Sequence, residues 1–213
     1  MLLDLTDTSV FLDWDGTITL LDTGVHLLDR LAPESWRDIE AEYKSGAIGS
    51  RECLSRQWDL LPKDERLLRD VAREVALDDG FRPLVDGLRK EGAEVTIVSD
   101  GYGFYAEDVC RDAGLALLTN TVDFTTGVLD FPNLDACCAC SSCGTCKQAP
   151  IKEAARRGRT TIFVGDGMSD RKAALLADVL FAKANLADWC DDVGQPFRRF
   201  SNLSDVQRSL GLR

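Results

Sequence analysis

The sequence predicts an α/β fold: a Rossmann-like parallel sheet with helices on both faces, into which a small helical cap is inserted. Three observations carry this. After Gly80, short apolar strands alternate with helical segments, the pattern of a parallel sheet covered on both sides. Before that, SVFL at residues 9–12 is a β-branched and aromatic run ending abruptly at the acidic DWDGT. Between these two regions, residues 22–78 show helical periodicity without a strand signal.

In order, SVFL is the first core strand. The helical stretch places Leu27, Leu28 and Leu31, then Ile39 and Tyr43, then Leu54, Trp58 and Leu61, then Leu67, Leu68, Val71 and Val75 at helical spacings. Breaks at Ala32-Pro33, Ser45-Gly46 through Gly49-Ser50, and Leu61-Pro62 divide it into four helices. Next come a helix over 82–91, the strand EVTIVSD from 94, a helix over 103–113 and a strand from Leu115 to Asn120. NTVDFTTGVLDFPN reads as a hairpin turning at Thr126-Gly127, followed by a cysteine-rich segment. A helix over 149–157, the strand TTIFVGD from 160, a helix over 169–176 and the strand DVLFA from 178 complete the alternation. The implied organisation is a catalytic core of residues 1–19 and 78–213, a helical cap of residues 20–77, and a hairpin with cysteine loop at 120–146 within the core.

The chain has 213 residues, 45% of them hydrophobic, enough for one substantial core carrying an insertion. No apolar run reaches membrane-spanning length, and the first residues are acidic where a signal peptide would be basic. A soluble, cytoplasmic monomer or homodimer is expected. The net charge of −11 argues against nucleic acid and anionic membranes as partners. The same charge would repel a phosphorylated metabolite, so such a substrate requires a bound cation and local lysines.

In an extended segment, alternate residues share a side, so Asp13 and Asp15 present two carboxylates together at the end of the first strand while Trp14 points away. Ligands of open α/β sheets bind at the carboxyl ends of strands, and three further polar signals fall at such places. They are Ser99-Asp100-Gly101 after EVTIV, Lys147 before a helix, and Gly165-Asp166-Gly167-Met168-Ser169-Asp170 after TTIFV. Each has a plainer reading. Asp-x-Asp-Gly also occurs in acidic turns, Ser99 and Asp100 could cap the helix that follows, and Asp170 could be a first-turn acid favoured by the helix dipole. Lys152 competes with Lys147.

Taken together, DWDGT, Ser99 of VSDG, Lys147 and GDGMSD resemble the four motifs of the haloacid dehalogenase superfamily, from residue 9 to about 181. The helical insertion resembles the cap of the phosphoserine phosphatase-like branch. IVSDGYGFY, CGTCK and DVLFAKANLADWC are similar to the group containing 2-hydroxy-3-keto-5-methylthiopentenyl-1-phosphate phosphatase. The resemblance implies a phosphomonoesterase acting on a small phosphorylated metabolite. Asp13 would be its nucleophile, forming an aspartyl phosphate, and Asp15 its acid and base. It further implies Mg²⁺ held by the Asp13 carboxylate, the Asp15 backbone carbonyl and Asp166, since an octahedral ion that retains waters needs only a few protein ligands. Ser99 and the Asp100 N–H would hold phosphoryl oxygens, Lys147 would neutralise charge, and Asp170 would orient Lys147 or a metal-bound water. A phosphoserine-type phosphatase, a phosphomutase, and a non-catalytic metal-binding or interaction protein on the same fold are the alternatives.

In the cap, Asp22, His26 and Arg30 lie four apart on one helix face, which reads as a solvated face. By resemblance, phosphoserine phosphatases bind the amino acid head group with a Glu and a cap Arg; Asp22 falls where that Glu would, and Arg56 lies close to that Arg. Tyr102, Phe104 and Tyr105 either line an apolar pocket or pack into the core. Cys137, Cys140, Cys143 and Cys146 recur every three residues, with Cys138 an extra thiol. Structural Zn²⁺, free thiols or a redox disulfide, and an iron-sulfur cluster all suit this segment, which ends at Lys147.

Overall fold

The computed structural model describes residues 4–134 and 142–212. In chain order its elements are β1 (Thr8–Leu12), α1 (Thr23–Leu31), α2 (Trp36–Lys44), α3 (Ser50–Leu60), α4 (Glu65–Ala72), α5 (Phe81–Lys90) and β2 (Glu94–Tyr102). There follow α6 (Glu107–Ala113), β3 (Ala116–Asp123), β4 (Val128–Asp130), α7 (Gln148–Arg156), β5 (Thr160–Gly165) and α8 (Arg171–Ala174). The chain closes with β6 (Val179–Ala182), α9 (Ala184–Val193), β7 (Arg198–Arg199) and α10 (Leu203–Ser209).

The seven strands form one sheet in the order β4-β3-β2-β1-β5-β6-β7, parallel throughout except where β4 runs antiparallel to β3. Every residue of β1 is buried, as a central strand covered on both faces requires. Its side chains alternate between the two faces. Val10 and Leu12 join Ile97, Ile162 and Val164 in a core covered by α5, α6 and α10, whereas Phe11 joins Val98 and Phe163 under α7, α8 and α9. Full burial of such side chains contributes roughly 1.5–3 kcal/mol each. Leu12 is paired with Ile97 of β2 on one side and Val164 of β5 on the other. Connections leave β1 toward β2 and β3 in one direction, while β5 and β6 extend the sheet in the other. The residues just after Leu12 therefore emerge at the switch point of strand order, where open sheets have their crevice.

Helices α1–α4 lie between β1 and α5 and bury Leu27, Leu28, Trp36, Trp58 and Leu68 against Tyr102 and Phe104 from the end of β2. The chain enters and leaves this group side by side: the Leu20 N–H donates to the Ala76 carbonyl at 2.9 Å, and Asp78 N–H to that of Ile18 at 2.8 Å. The β3–β4 hairpin braces the group from the other side, its Gly127 carbonyl accepting the Trp58 indole N–H at 2.8 Å. Asp22 and Asp64 cap α1 and α4 by accepting N–H bonds from Val25 and Leu67.

Three local features depart from the sequence reading. β2 runs past the expected EVTIVSD through Gly101 to Tyr102, with a register shift against β3 after Val98, so Ser99 and Asp100 lie in the strand and do not cap a helix. A short 3₁₀ turn, Gly103–Tyr105, precedes α6, and another, Met168–Asp170, reduces the expected 169–176 helix to four residues. The second turn forms because Asp170 folds back to accept the N–H groups of Asp166 and Gly167, each at 3.0 Å. Helices α9 and α10 and strand β7 complete the core beyond the segments assigned from sequence. Among the described residues, no helix is long and apolar enough to cross a membrane.

Candidate active site

Asp13 follows β1 directly, and its N–H donates to the Val164 carbonyl at 2.9 Å, continuing the ladder with β5 for one more residue. The residue is 4% exposed. Lys147, at the start of α7, donates from Nζ to Asp13 Oδ1 at 2.6 Å, to Asp170 Oδ1 at 2.7 Å and to Ser169 Oγ at 3.1 Å. Asp170 is fully buried, with one oxygen on the lysine and the other on the two N–H groups of its own turn. Asp166 accepts a hydrogen bond from Thr17 Oγ1 at 3.0 Å. Carboxylate oxygens of Asp13, Asp166 and Asp170 all lie within 4.8 Å of one another.

The backbone of DWDGT makes this convergence possible. Trp14 is buried in the core, and its carbonyl accepts the N–H groups of Thr17, Ile18 and Thr19, turning the chain tightly. Gly16 sits at φ +73°, and a Cβ there would lie 2.4 Å from Asp166 Oδ2. Glycine is required both by the dihedral and by the closeness of Asp166.

Three clustered carboxylates face one ammonium. Burial raises the Asp13 pKa well above the ordinary carboxylate value; neighbouring Asp170 raises it further, and Lys147 opposes both. Burial, then Asp170, pushes Asp166 up to about 7. For Lys147, burial alone would favour the neutral amine, but Asp13 and Asp170 outweigh it and hold the side chain charged. The cluster thus lacks positive charge. Its donors are hard oxygens, and Asp170 has committed both of its own, leaving Asp13 and Asp166 with capacity to spare. This donor set fits a small divalent cation such as Mg²⁺.

Asp15 lies beside Asp13, half-buried. Thr23 N–H, at the start of α1, donates to Oδ1 at 2.8 Å, and the Tyr105 hydroxyl donates to Oδ2 at 2.7 Å. Burial, with the nearby charge of Asp22, pushes Asp15 up to about 7. Ser99 is buried, its Oγ accepting the Gly101 N–H at 3.0 Å. The Asp100 carboxylate accepts the Thr145 N–H at 2.6 Å, and Thr145 Oγ1 donates to Asn120 at 3.0 Å. These bonds tie the segment carrying Lys147 to β2 and β3.

The acids open onto a cavity of about 590 Å³ between the core and helices α1–α4. The wall formed by α2 and α3 includes Glu40, Tyr43, Cys53 and Gln57. Gln57 is buried and donates from Nε2 to Glu40 at 3.0 Å. Asp22 faces this space, but His26 and Arg30 turn away and pair with Glu74, so the four-apart stripe divides. Arg56 does not line the cavity; its guanidinium makes two bonds to Glu42, at 2.7 and 2.8 Å. Tyr102 and Phe104 pack into the aromatic cluster with Trp58, and Tyr102 and Tyr105 also border the cavity. Lys152 lines a separate depression with Leu118 and Arg156, away from Asp13.

Cys146 is buried, and the Cys143 carbonyl accepts Arg51 Nε at 3.2 Å. Cys137, Cys138 and Cys140, on which the zinc, thiol and iron-sulfur readings also depend, lie outside the described residues. Tyr105, expected either at a pocket or in the core, borders the cavity with its hydroxyl on Asp15. Sequence reasoning missed Gln57, Asn120 and Thr145 as polar groups of the site. Thr17 stands within DWDGT and was open to notice; the others are single residues without a spacing to mark them.

A family model for haloacid dehalogenase-like hydrolases matches residues 10–175. A 2-hydroxy-3-keto-5-methylthiopentenyl-1-phosphate phosphatase of Brevibacillus brevis is 30% identical over 209 residues, covering 94% of each chain. One from an Exiguobacterium species is 27% identical, covering 96% of this chain and 99% of its own. Among solved structures, a phospho-aspartyl intermediate analogue of phosphoserine phosphatase superposes with a TM-score of 0.74 at 17% identity, over 94% of this chain and 97% of that one. Phosphoserine phosphatase from T. onnurineus gives 0.74 at 18% identity, over 100% and 99%. With its switch-point crevice and converging acids, the chain belongs to the haloacid dehalogenase-like hydrolases and is a phosphatase of that superfamily.

Proposed function

We propose that the chain hydrolyses a small phosphate monoester through an aspartyl phosphate on Asp13, in a site closed by the helical cap of residues 20–77. The observation that carries this reading is the buried Lys147 held between Asp13 and Asp170, with Asp166 alongside and the cavity in front. Asp13 Oδ attacks phosphorus as the ester P–O bond breaks, and the Asp15 carboxyl gives its proton to the departing alkoxide. The resulting Asp15 carboxylate then takes a proton from water as that water displaces the phosphoryl group, restoring Asp13 and releasing phosphate. Lys147 offsets charge on Asp13 and on the group in transfer, and Asp170 keeps the ammonium in place. Ser99 and the Asp100 N–H, at the end of β2, bind phosphoryl oxygens. Asp13, Asp166 and the Asp15 backbone carbonyl would hold Mg²⁺, which when bound neutralises phosphate charge and polarises the phosphoryl oxygens.

For the leaving group, the cap-side wall favours a neutral polar chain over an amino acid. Gln57, Tyr43 and Cys53 stand there beside Leu28 and Leu54, and Glu40 and Asp22 would repel a carboxylate. Arg56 is turned to Glu42, Lys44 is paired with Glu40 at 3.3 Å, and Arg171 lies on the core side over Trp189. The substrate named for the relatives, a methylthiopentenyl phosphate, fits this wall better than phosphoserine does.

The test is phosphate release with Mg²⁺ from 2-hydroxy-3-keto-5-methylthiopentenyl-1-phosphate and from phosphoserine, with Asp13→Asn as control. The expected kcat/KM ratio favours the first by about tenfold or more, since Glu40 and Asp22 would repel a carboxylate on this wall. Equal rates, or a preference for phosphoserine, contradict the substrate assignment, and an isomerised product would mean mutase action. Activity surviving in Asp13→Asn contradicts the mechanism.

A further inference from the structure

We infer that Tyr105 is a positioning residue for Asp15, its hydroxyl fixing the plane of the carboxyl that serves the leaving group. The inference rests on the proposed acid and base role of Asp15.

A carboxyl group turns easily about its last side-chain torsion, which has a broad, two-fold profile. At Asp15 that freedom is removed from two sides. Thr23 N–H, from the first helix of the cap, holds Oδ1 at 2.8 Å, and Tyr105, from the turn after β2, holds Oδ2 at 2.7 Å. With one lone pair on each oxygen taken by a fixed donor, the transferable proton rides on a remaining lone pair in a set plane. Tyr105 is itself anchored. Its oxygen accepts the Tyr102 N–H at 3.0 Å, so its own hydrogen is left for Asp15, and its ring packs edge-on against Phe104 with centroids 5.3 Å apart.

A second observation concerns Gly101. A Cβ there would lie 1.8 Å from the Tyr105 hydroxyl and 2.5 Å from Asp15 Oδ2. The end of β2 therefore leaves room for this pair only while residue 101 has no side chain.

The assay compares kcat/KM for two esters in Tyr105→Phe, which keeps the ring and removes the hydroxyl. β-Glycerophosphate leaves as an alkoxide and needs a proton, whereas 2,4-dinitrophenyl phosphate leaves as a stable phenolate and does not. The variant is expected to lose about 10- to 100-fold on the alkyl ester, the worth of a hydrogen bond to a charged group, and about twofold or less on the aryl ester. A packing role would lower both together, so equal losses, or none, overturn the inference. If Tyr105→Phe does not fold, Tyr105→Leu, which keeps an apolar side chain and removes the donor, is judged by the same ratio. Asp15→Asn supplies the reference: should it spare the alkyl ester, the acid role itself is wrong, a failure distinct from that of Tyr105.

Discussion

Gly16→Ala separates the backbone's contribution to stability from its contribution to chemistry. Residue 16 has φ +73°, where an alanine pays roughly 1–2 kcal/mol for its Cβ. For a chain of this length, each kcal/mol lowers the melting midpoint by about 2–4 °C, so a fall of about 2–8 °C is expected. The added methyl would also stand 2.4 Å from Asp166 Oδ2 and 2.9 Å from its Cγ. Since ordinary contact begins near 3.4 Å, the carboxylate must retreat by about 1 Å, enough to cost about 100-fold when a catalytic geometry is disturbed. The assay is initial rate against Mg²⁺ concentration, alongside thermal denaturation of the same preparations. The apparent Mg²⁺ constant should rise and kcat should fall. If the midpoint drops as expected while both kinetic quantities stay at wild-type values, Asp166 does not hold the metal.

Without metal, stability should decline as pH rises from about 4 to about 7. Asp15 and Asp166 both titrate near 7 in the fold against 3.8 ordinarily, so the folded chain binds more protons across that window and the advantage is lost on its way through 7. Urea midpoints in EDTA at about pH 5 and pH 7.5 measure this, and added Mg²⁺ should remove most of the difference; a midpoint that rises with pH would contradict it. Arg56→Ala should leave the ranking of substrates unchanged because its guanidinium serves Glu42, whereas Gln57→Leu should raise KM by about tenfold with kcat nearly intact, as expected for binding shared by ground and transition states. Cys110, 1% exposed and pushed up to about 12 by burial, should resist iodoacetamide at about pH 8 until the chain unfolds, as peptide mass mapping would reveal.

How much of this was legible beforehand depended on whether a residue's partner was near in sequence or marked by a strand end. Asp13, Asp166 and Lys147 each end a strand or begin a helix, so parallel-sheet topology alone brings them together once the strand order is known. Trp14 also followed from alternation, being buried opposite the acids. Side-chain direction in the cap was not legible in the same way. Arg56 and Gln57 are neighbours on α3, and only the packing of α3 on α2 decides that the glutamine enters the cavity while the arginine meets Glu42 on α2. The extension of β2 past Asp100 was hidden because a glycine, Gly101, interrupts the strand pattern there. Here its polar groups are satisfied by Asn120 and Thr145, from β3 and from the segment before Lys147.

The hydrogen-bond inventory also sorts the acids in a way that their sequence motifs do not. Asp170 is the most buried of them, and both its oxygens are committed, to Lys147 and to two N–H groups of its own turn. A carboxylate so satisfied has little capacity left for a ligand; its effect is to fix the ammonium that reaches Asp13. Asp13 and Asp166 hold fewer donors, and burial together with the charge of Asp170 raises both pKa values. The unfavourable charge is thus concentrated on the pair assigned to nucleophile and metal. A divalent cation there would relieve a repulsion that the fold itself creates, and would let a chain of net charge −11 offer an acidic cleft to a phosphate ester. On that reading the cation must be in place for the anionic substrate to bind, because Lys147 offsets only part of the negative charge of Asp13, Asp166 and Asp170.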